Sequence, residues 1–316
     1  MVLEAILTAS FWIGSIALAI KLLPLILFTS MGELIAEKSG VLNLGVEGLM
    51  LMGAFTAFMT AFITGNPWLG ILASILVCMG LGLIFTFLTV SLGVNQVVVG
   101  LGFWLLGLGL SDILFRAFIK GLRIVGIPTV NTIKEVYIPV LSDLPVIGPI
   151  IFKQNPIVYL AILSVPLTAY FLNRTHIGLR IRAVGENPKA ADTMGINVNK
   201  MRYIAALIGA AAAGISGAYF SVAYLATFQF GYTAGRGFVA LAMIYFGNWN
   251  PYKTFLPIFL FNFVDALQIG IISVDPLLSR RYYFFNMLPY LFVVALIPYF
   301  GRRARAPRFL AIPYKK

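Results

Sequence analysis

Asn262, Asp265 and Gln268 recur at three-residue spacing in one apolar stretch, which sets them near one face of a helix. A carboxylate in the middle of an apolar run is costly in lipid and has to face a bundle interior or a water-filled cavity. Such a stripe can hydrogen-bond a polar solute or bind helices to one another, and the residues alone leave both open. A second polar pair, Asn43 and Glu47, stands one turn apart beside Gly45 and Gly48. Glu47 falls only about 9 Å from the start of its helix at roughly 1.5 Å per residue, so bracing a neighbouring helix outweighs solute contact there. Asn95 and Gln96 open another apolar run and suit a gate, while Asp112 and Arg116, one turn apart, suit a mutual ion pair. Arg236, after Tyr232-Thr-Ala-Gly at the mouth of a short apolar segment, reads as a snorkelling cation. Phe103, Trp104, Phe228 and Phe230 could stack on a ring-bearing solute, although lipid contact is the commoner role of such side chains.

Missing chemistry narrows the reading further. No G-x-x-x-x-G-K-[ST] phosphate loop occurs, so nucleotide hydrolysis would have to come from another chain. There is no H-E-x-x-H, no C-x-x-C and no Ser-His-Asp set. The single cysteine, Cys78, excludes an intrachain disulfide, and the single histidine, His176, excludes a histidine metal cluster. The expectation is a non-enzyme without metal or cofactor.

The elements that must position these groups are membrane helices. The 316 residues are 60% hydrophobic and 11% charged, against about 25% charged in soluble domains, and the mean hydropathy is +0.94. Apolar runs reach roughly 20 residues, enough to cross a bilayer core. Nine such segments are read, at about 5–29, 41–64, 68–90, 95–118, 156–172, 203–228, 235–249, 254–273 and 286–300. The expected fold class is all-α, a polytopic transmembrane bundle of about 8–10 segments forming one domain over 1–316. The seventh segment is short and suits a half-membrane or tilted helix. Without a basic n-region or a cleavage site, the first run reads as a retained helix. In the sixth, Ala205, Gly209, Ala213, Gly217 and Ser221 recur every four residues, beside Ala206, Ala210, Gly214 and Ala218. Small residues at that spacing let backbones approach closely in lipid and predict a central helix. Glu33, Glu37 and Lys38 read as a short amphipathic segment on the cytoplasmic side.

The net charge of +12 follows topology rather than nucleic-acid binding. Six cations (Arg174, Arg180, Arg182, Lys189, Lys200, Arg202) lie in the loop 173–202, and six more (Arg302, Arg303, Arg305, Arg308, Lys315, Lys316) lie in the tail. Clustering of this kind is what the positive-inside bias produces. It predicts a cytoplasmic loop and C-terminus and, with nine crossings, an N-terminus and a 119–154 connection outside. Within the basic loop, Asn187 suits an N-cap, Pro188 the first helical position and Gly195 a left-handed end. Two turns of capped helix cannot anchor themselves in a core, so they read as a knob shown to another protein.

Two stretches, Gly40-Val-Leu-Asn-Leu-Gly-Val-Glu-Gly-Leu-Met-Leu-Met-Gly-Ala and Arg182-Ala-Val-Gly-Glu-Asn-Pro-Lys-Ala-Ala through Gly195-Ile, carry a resemblance. With Gly235-Arg-Gly-Phe-Val-Ala-Leu-Ala and Asp265-Ala-Leu-Gln, the chain resembles inner-membrane permease subunits of ABC importers for simple sugars, nucleosides and branched-chain amino acids. The likeness is strongest to the nucleoside branch. It implies a subunit that dimerises with a second, longer permease. It implies an ATPase subunit docked at a coupling helix and an extracytoplasmic solute-binding lipoprotein that delivers the solute. Carried onto this chain, the coupling helix is Asn187–Met194, with Arg182, Glu186 and Lys189 as surface contacts and Asp192 and Gly195 within the same motif. Asn95-Gln96 departs from the Asn-Glu of related sequences and so lacks a carboxylate there. The competing reading is an ion-coupled secondary transporter working through Glu47 and Asp265.

Overall fold

The computed structural model describes residues 8–121, 126, 128–137, 139, 141–274, 282–300 and 304–314. The basic positions Arg302, Arg303, Lys315 and Lys316, and Arg123 of the 119–154 connection, lie outside the described residues. Helix is the regular structure among the described residues, since in lipid every backbone N–H and C=O has to be satisfied within its own segment.

The chain opens with α1 (Ala9–Leu22) and α2 (Pro24–Lys38), which meet at a 41° bend. Pro24 accounts for the break, because it has no N–H and suits only the first turn of a new helix. Then come α3 (Val46–Thr64), α4 (Pro67–Thr86, continued as a π-turn to Ser91) and α5 (Gln96–Gly121). After the long connection, α6 (Pro156–Arg174) leads into two short helices, α7 (His176–Glu186) and α8 (Pro188–Thr193). Next are α9 (Val198–Tyr219, with a π-turn to Tyr224), α10 (Arg236–Phe246), α11 (Pro251–Val274), α12 (Tyr282–Asn286) and α13 (Leu288–Phe300).

Six of these helices are long and apolar enough to cross a membrane, and the bent α1–α2 pair makes a seventh if it is one span. The reading of nine crossings is therefore not upheld as a count. The 11 residues of α10 cover about 16 Å at roughly 1.5 Å each, about half of a hydrocarbon core near 30 Å. The last apolar segment, 286–300, is α13, preceded across Met287 by the short α12.

Helix α9 stands at the centre, as its stripe of small residues predicts. Its most apolar window is 67% buried, against 17% for α5. A side chain at Gly217 would collide with the Met50 carbonyl of α3, and one at Gly53 would meet the Gly214 backbone. Dispersion across such close backbone contacts is what holds helices together where lipid removes the hydrophobic drive. Helix α2 is the second interior element: every residue from Pro24 to Glu37 is buried. Glu33 and Glu37 therefore do not form an amphipathic surface segment. Glu37 accepts a hydrogen bond from the Trp249 indole, which holds it inside the bundle.

Candidate functional site

Two polar regions stand out, one at each end of α10. The first gathers at its N-terminus. Glu47 on α3 is buried, and its carboxylate accepts bonds from Thr233 Oγ1 (2.5 Å), Gly235 N (2.8 Å) and Gly237 N (2.6 Å). An anion across the free N–H groups that open a helix satisfies donors that otherwise have no partner, and it complements the positive end of the dipole. The sequence Gly235-Arg-Gly237 permits this approach. Gly235 takes φ +79°, and a Cβ on Gly237 would lie 2.7 Å from Glu47 Cα. Glu47 is thus the cap of the half-length helix, the bracing role that outweighed solute contact in the sequence.

Arg236, between those glycines, is not a snorkelling cation. Its Nη2 lies 2.7 Å from Asp265 Oδ2 on α11, with the two side chains only 15% and 10% exposed. Its guanidinium also sits 5.7 Å from the centre of the Phe220 ring. Apolar surroundings explain the pairing: either charge alone would be strongly disfavoured there, whereas together they offset one another. One turn further along α11, Gln268 donates to Asn286 at the end of α12, and the Tyr290 hydroxyl of α13 donates to the Ala234 carbonyl. These contacts frame a cavity of about 330 Å³ lined by Tyr232, Arg236, Asp265, Gln268, Asn286 and Tyr290, among others. Asn262, on the same face of α11, is fully buried, and neither of its amide atoms has a hydrogen-bond partner.

The other residues expected along a solute pathway lie elsewhere. Asn43 Oδ1 accepts from Gly45 N (2.9 Å) and holds the turn before α3. Asn95 caps α5 by accepting from Val97 N and Val98 N. Gln96 Oε1 accepts from Leu42 N (2.7 Å) and ties the start of α5 to that turn. Of the aromatics, Phe103 packs on Phe85, Trp104 on Phe238, and Phe228 on Phe55 and Phe115, while Phe230 is exposed. Asp112 and Arg116 pair with each other at 2.9 Å.

The second region is the basic loop near the other end of α10. Asn187 Oδ1 accepts from Ala190 N (3.1 Å), Pro188 takes the first position of α8, and Gly195 adopts φ +79°. This is the start and stop written in the sequence. Arg182, Glu186, Asn187, Lys189 and Gly195 are exposed, Asp192 is half-buried, and the neighbouring Met194 is 82% exposed. The knob is nevertheless anchored, contrary to the expectation from its length. Pro188 and Ala191 are buried, and Ala191 joins Leu34, Ile181, Val184, Val198 and Trp249 in one apolar cluster. Part of the anchor is the C-terminal tail, whose Phe309 N donates to Gly185 O (3.0 Å) and whose Tyr314 hydroxyl donates to Asp192 (3.2 Å). Arg202, counted among the loop cations, is fully buried on α9 and donates to the Ile312 carbonyl at 3.1 Å.

Sequence reasoning passed over Arg236, Tyr232, Asn286 and Tyr290 as site residues. A signal for the first was present: a mid-span carboxylate requires a partner, and Arg236 is a cation set in an apolar segment. The other three come from segments with no local mark of their own.

Comparison with known proteins gives a consistent result. The family described as branched-chain amino acid transport system, permease component, matches residues 15–297. The chain is 37% identical to a putative glucose ABC transporter permease of Haloferax volcanii, covering 96% of each chain. It is 36% identical to a guanosine ABC transporter permease of Bacillus subtilis and 34% identical to a nucleoside ABC transporter permease of Lactococcus lactis, each over 93% of both chains. No solved structure matches.

Proposed function

The chain belongs to the family of permease components of branched-chain amino acid transport systems, and from that premise we propose that it is the membrane-crossing subunit of an ATP-driven importer for nucleosides or sugars. Near-full-length similarity to nucleoside and glucose permeases carries this reading. Nucleosides are placed ahead of sugars because the Gly40–Ala54 motif resembles the nucleoside branch and two near-full-length relatives are named as guanosine and nucleoside permeases. The glucose relative supports the sugar alternative.

In this reading the basic loop 173–202 faces the cytoplasm of a prokaryotic cell, the N-terminus lies outside, and the Asn187–Met194 helix seats a separate ATPase subunit. Arg182, Glu186 and Lys189 offer that partner a charged exposed face, and Met194 offers it an apolar one. ATP binding and release at the partner would push the short helix. The motion would reach α2, α9 and α10 through the apolar cluster that Ala191 shares with Leu34, Val198 and Ile244. A second permease subunit completes the pathway, and an extracytoplasmic lipoprotein supplies the solute. Directionality requires that the solute bind one of the two conformations more tightly than the other. The ion-coupled alternative loses ground because Glu47 has three donors on its carboxylate and Asp265 is paired with Arg236.

Deleting 187–194 from the assembled transporter tests the reading. The expected result is an inserted chain that no longer co-purifies with its ATPase and takes up no nucleoside. Normal ATPase recovery from the deletion would overturn the docking assignment. Pumping by the isolated chain in liposomes under an ion gradient alone would overturn the whole scheme.

A further inference from the structure

We propose that the cavity between the 231–236 turn, α11 and the α12–α13 break is the permease's own recognition site. Its charge-compensated walls select an uncharged solute carrying a hydroxylated ring and reject amino acids and phosphorylated compounds. The inference rests on the nucleoside-or-sugar reading above and assigns it a place and a selectivity.

Size is the first argument. A volume of about 330 Å³ lies at the lower end of the roughly 300–1,000 Å³ usual for small-molecule sites, which suits one small polar ring system. The second argument is electrostatic. Broken helices in transporters often aim a half-helix N-terminus at an anionic group of the substrate. Here that position is taken, because both oxygens of Glu47 lie on the N–H groups of Gly235 and Gly237. Among the described residues, Arg236 is the one cation in the wall, and it is held by Asp265 at 2.7 Å. Among the described residues, a phosphate or a free carboxylate would find no unpaired positive charge in the wall, and a zwitterion would have to pull the Arg236–Asp265 pair apart to bind. An uncharged solute need not disturb it.

Unpaired hydrogen-bonding groups supply the third argument. Gln268 is 3% exposed and has no partner for its Oε1, and Arg236 has none for its Nε. A buried polar atom without a partner carries an uncompensated desolvation cost. Both residues line the cavity, but these two atoms are buried within its wall, so a hydroxyl group meets the Gln268 acceptor and the Arg236 donor once the side chains turn toward it. Asn262, three residues before Asp265 on the same face, adds an amide with both ends unpaired. It is the next polar step along α11, about 4.5 Å further at roughly 1.5 Å per residue.

The test uses the whole transporter in cells lacking other nucleoside and sugar uptake, with initial rates measured for uridine, adenosine, ribose and glucose. Uridine 5′-monophosphate and leucine serve as competitors. Gln268→Ala should raise KM for the imported solute at least tenfold while ATPase co-purification stays unchanged. Asp265→Asn should cut that uptake at least tenfold and make uridine 5′-monophosphate a competitor, because Arg236 is then unpaired. The double variant Arg236→Gln/Asp265→Asn should lose sensitivity to the monophosphate again.

A nucleoside or sugar importer in which Gln268→Ala keeps its KM within twofold would overturn the cavity assignment. So would leucine competing against the wild type as strongly as the imported solute does. Gln268→Ala leaves the ion pair intact, so the test stays decisive even if Asp265→Asn fails to insert. Wild-type protein that imports leucine and none of the four neutral solutes would instead overturn the functional reading beneath the proposal. Among the four, the one taken up tells a nucleoside from a free sugar.

Discussion

The ends of α10 are built by opposite strategies. Around the basic loop, the contacts that start and stop the knob are local, although its anchor is not: Asn187 caps Ala190 three residues on, and Gly195 ends the turn two residues past Thr193. Around the cavity the contacts are long-range. Glu47 reaches Gly235, Arg236 reaches Asp265, and Tyr290 reaches Ala234. A feature made from neighbours in sequence survives small shifts of the bundle. A feature made from four distant segments exists in only one arrangement of them. The first is suited to carrying a push intact, and the second to changing when pushed.

That contrast can be broken most severely at Glu47. Glu47→Ala would strand buried donors on Thr233 and Gly237 and a half-buried one on Gly235, at about 1–3 kcal/mol for each one that water does not reach. The expected outcome is the largest loss in the molecule, a strongly lowered thermal midpoint in detergent and poor membrane recovery. Glu47→Gln should retain part of both.

Gly217→Ala comes next. Its new methyl would strike the Met50 carbonyl, and overpacking of this kind costs typically about 1–3 kcal/mol. Thermal unfolding should show a clear drop, whereas the same change at Gly80, which has open space beside it, should show none.

Asn187→Ala tests the locally built end. Losing an N-cap costs about 1 kcal/mol, and because α8 is only six residues long the loss should appear as weaker ATPase co-purification with little change in thermal midpoint. If Asn187→Ala lowered the midpoint as much as Glu47→Ala, the division between a local and a long-range end would fail.

Smallest of all, Tyr314→Phe removes one hydrogen bond to a half-buried Asp192, a net effect of about 0.5–1.5 kcal/mol at most. It should trim coupling efficiency, read as solute imported per ATP hydrolysed, and leave solute KM unchanged.

Legibility follows the same division. The caps of α8, the Asp112–Arg116 pair one turn apart and the small-residue face of α9 were all readable, because each depends on residues within a few positions of one another. Glu33 and Glu37 misled, since charged residues at a segment's end usually mark a surface. Glu37 is held by Trp249, which arrives from far along the chain, and Glu33 lies against Gly209 of α9. Arg236 misled for a similar reason: its partner is 29 residues away on another helix.

By itself, the sequence determined that this is an all-α membrane protein with a capped, basic, presented helix and a central helix of small residues. Those properties follow from hydropathy, charge placement and cap chemistry, which act over one or two turns. Tertiary structure alone decided that Glu47 closes the end of the short α10 and that Arg236 is neutralised by Asp265 at the edge of a cavity. The physical reason is that a buried charge takes whichever partner the packing brings within reach, and packing is a property of the whole bundle rather than of any stretch of it.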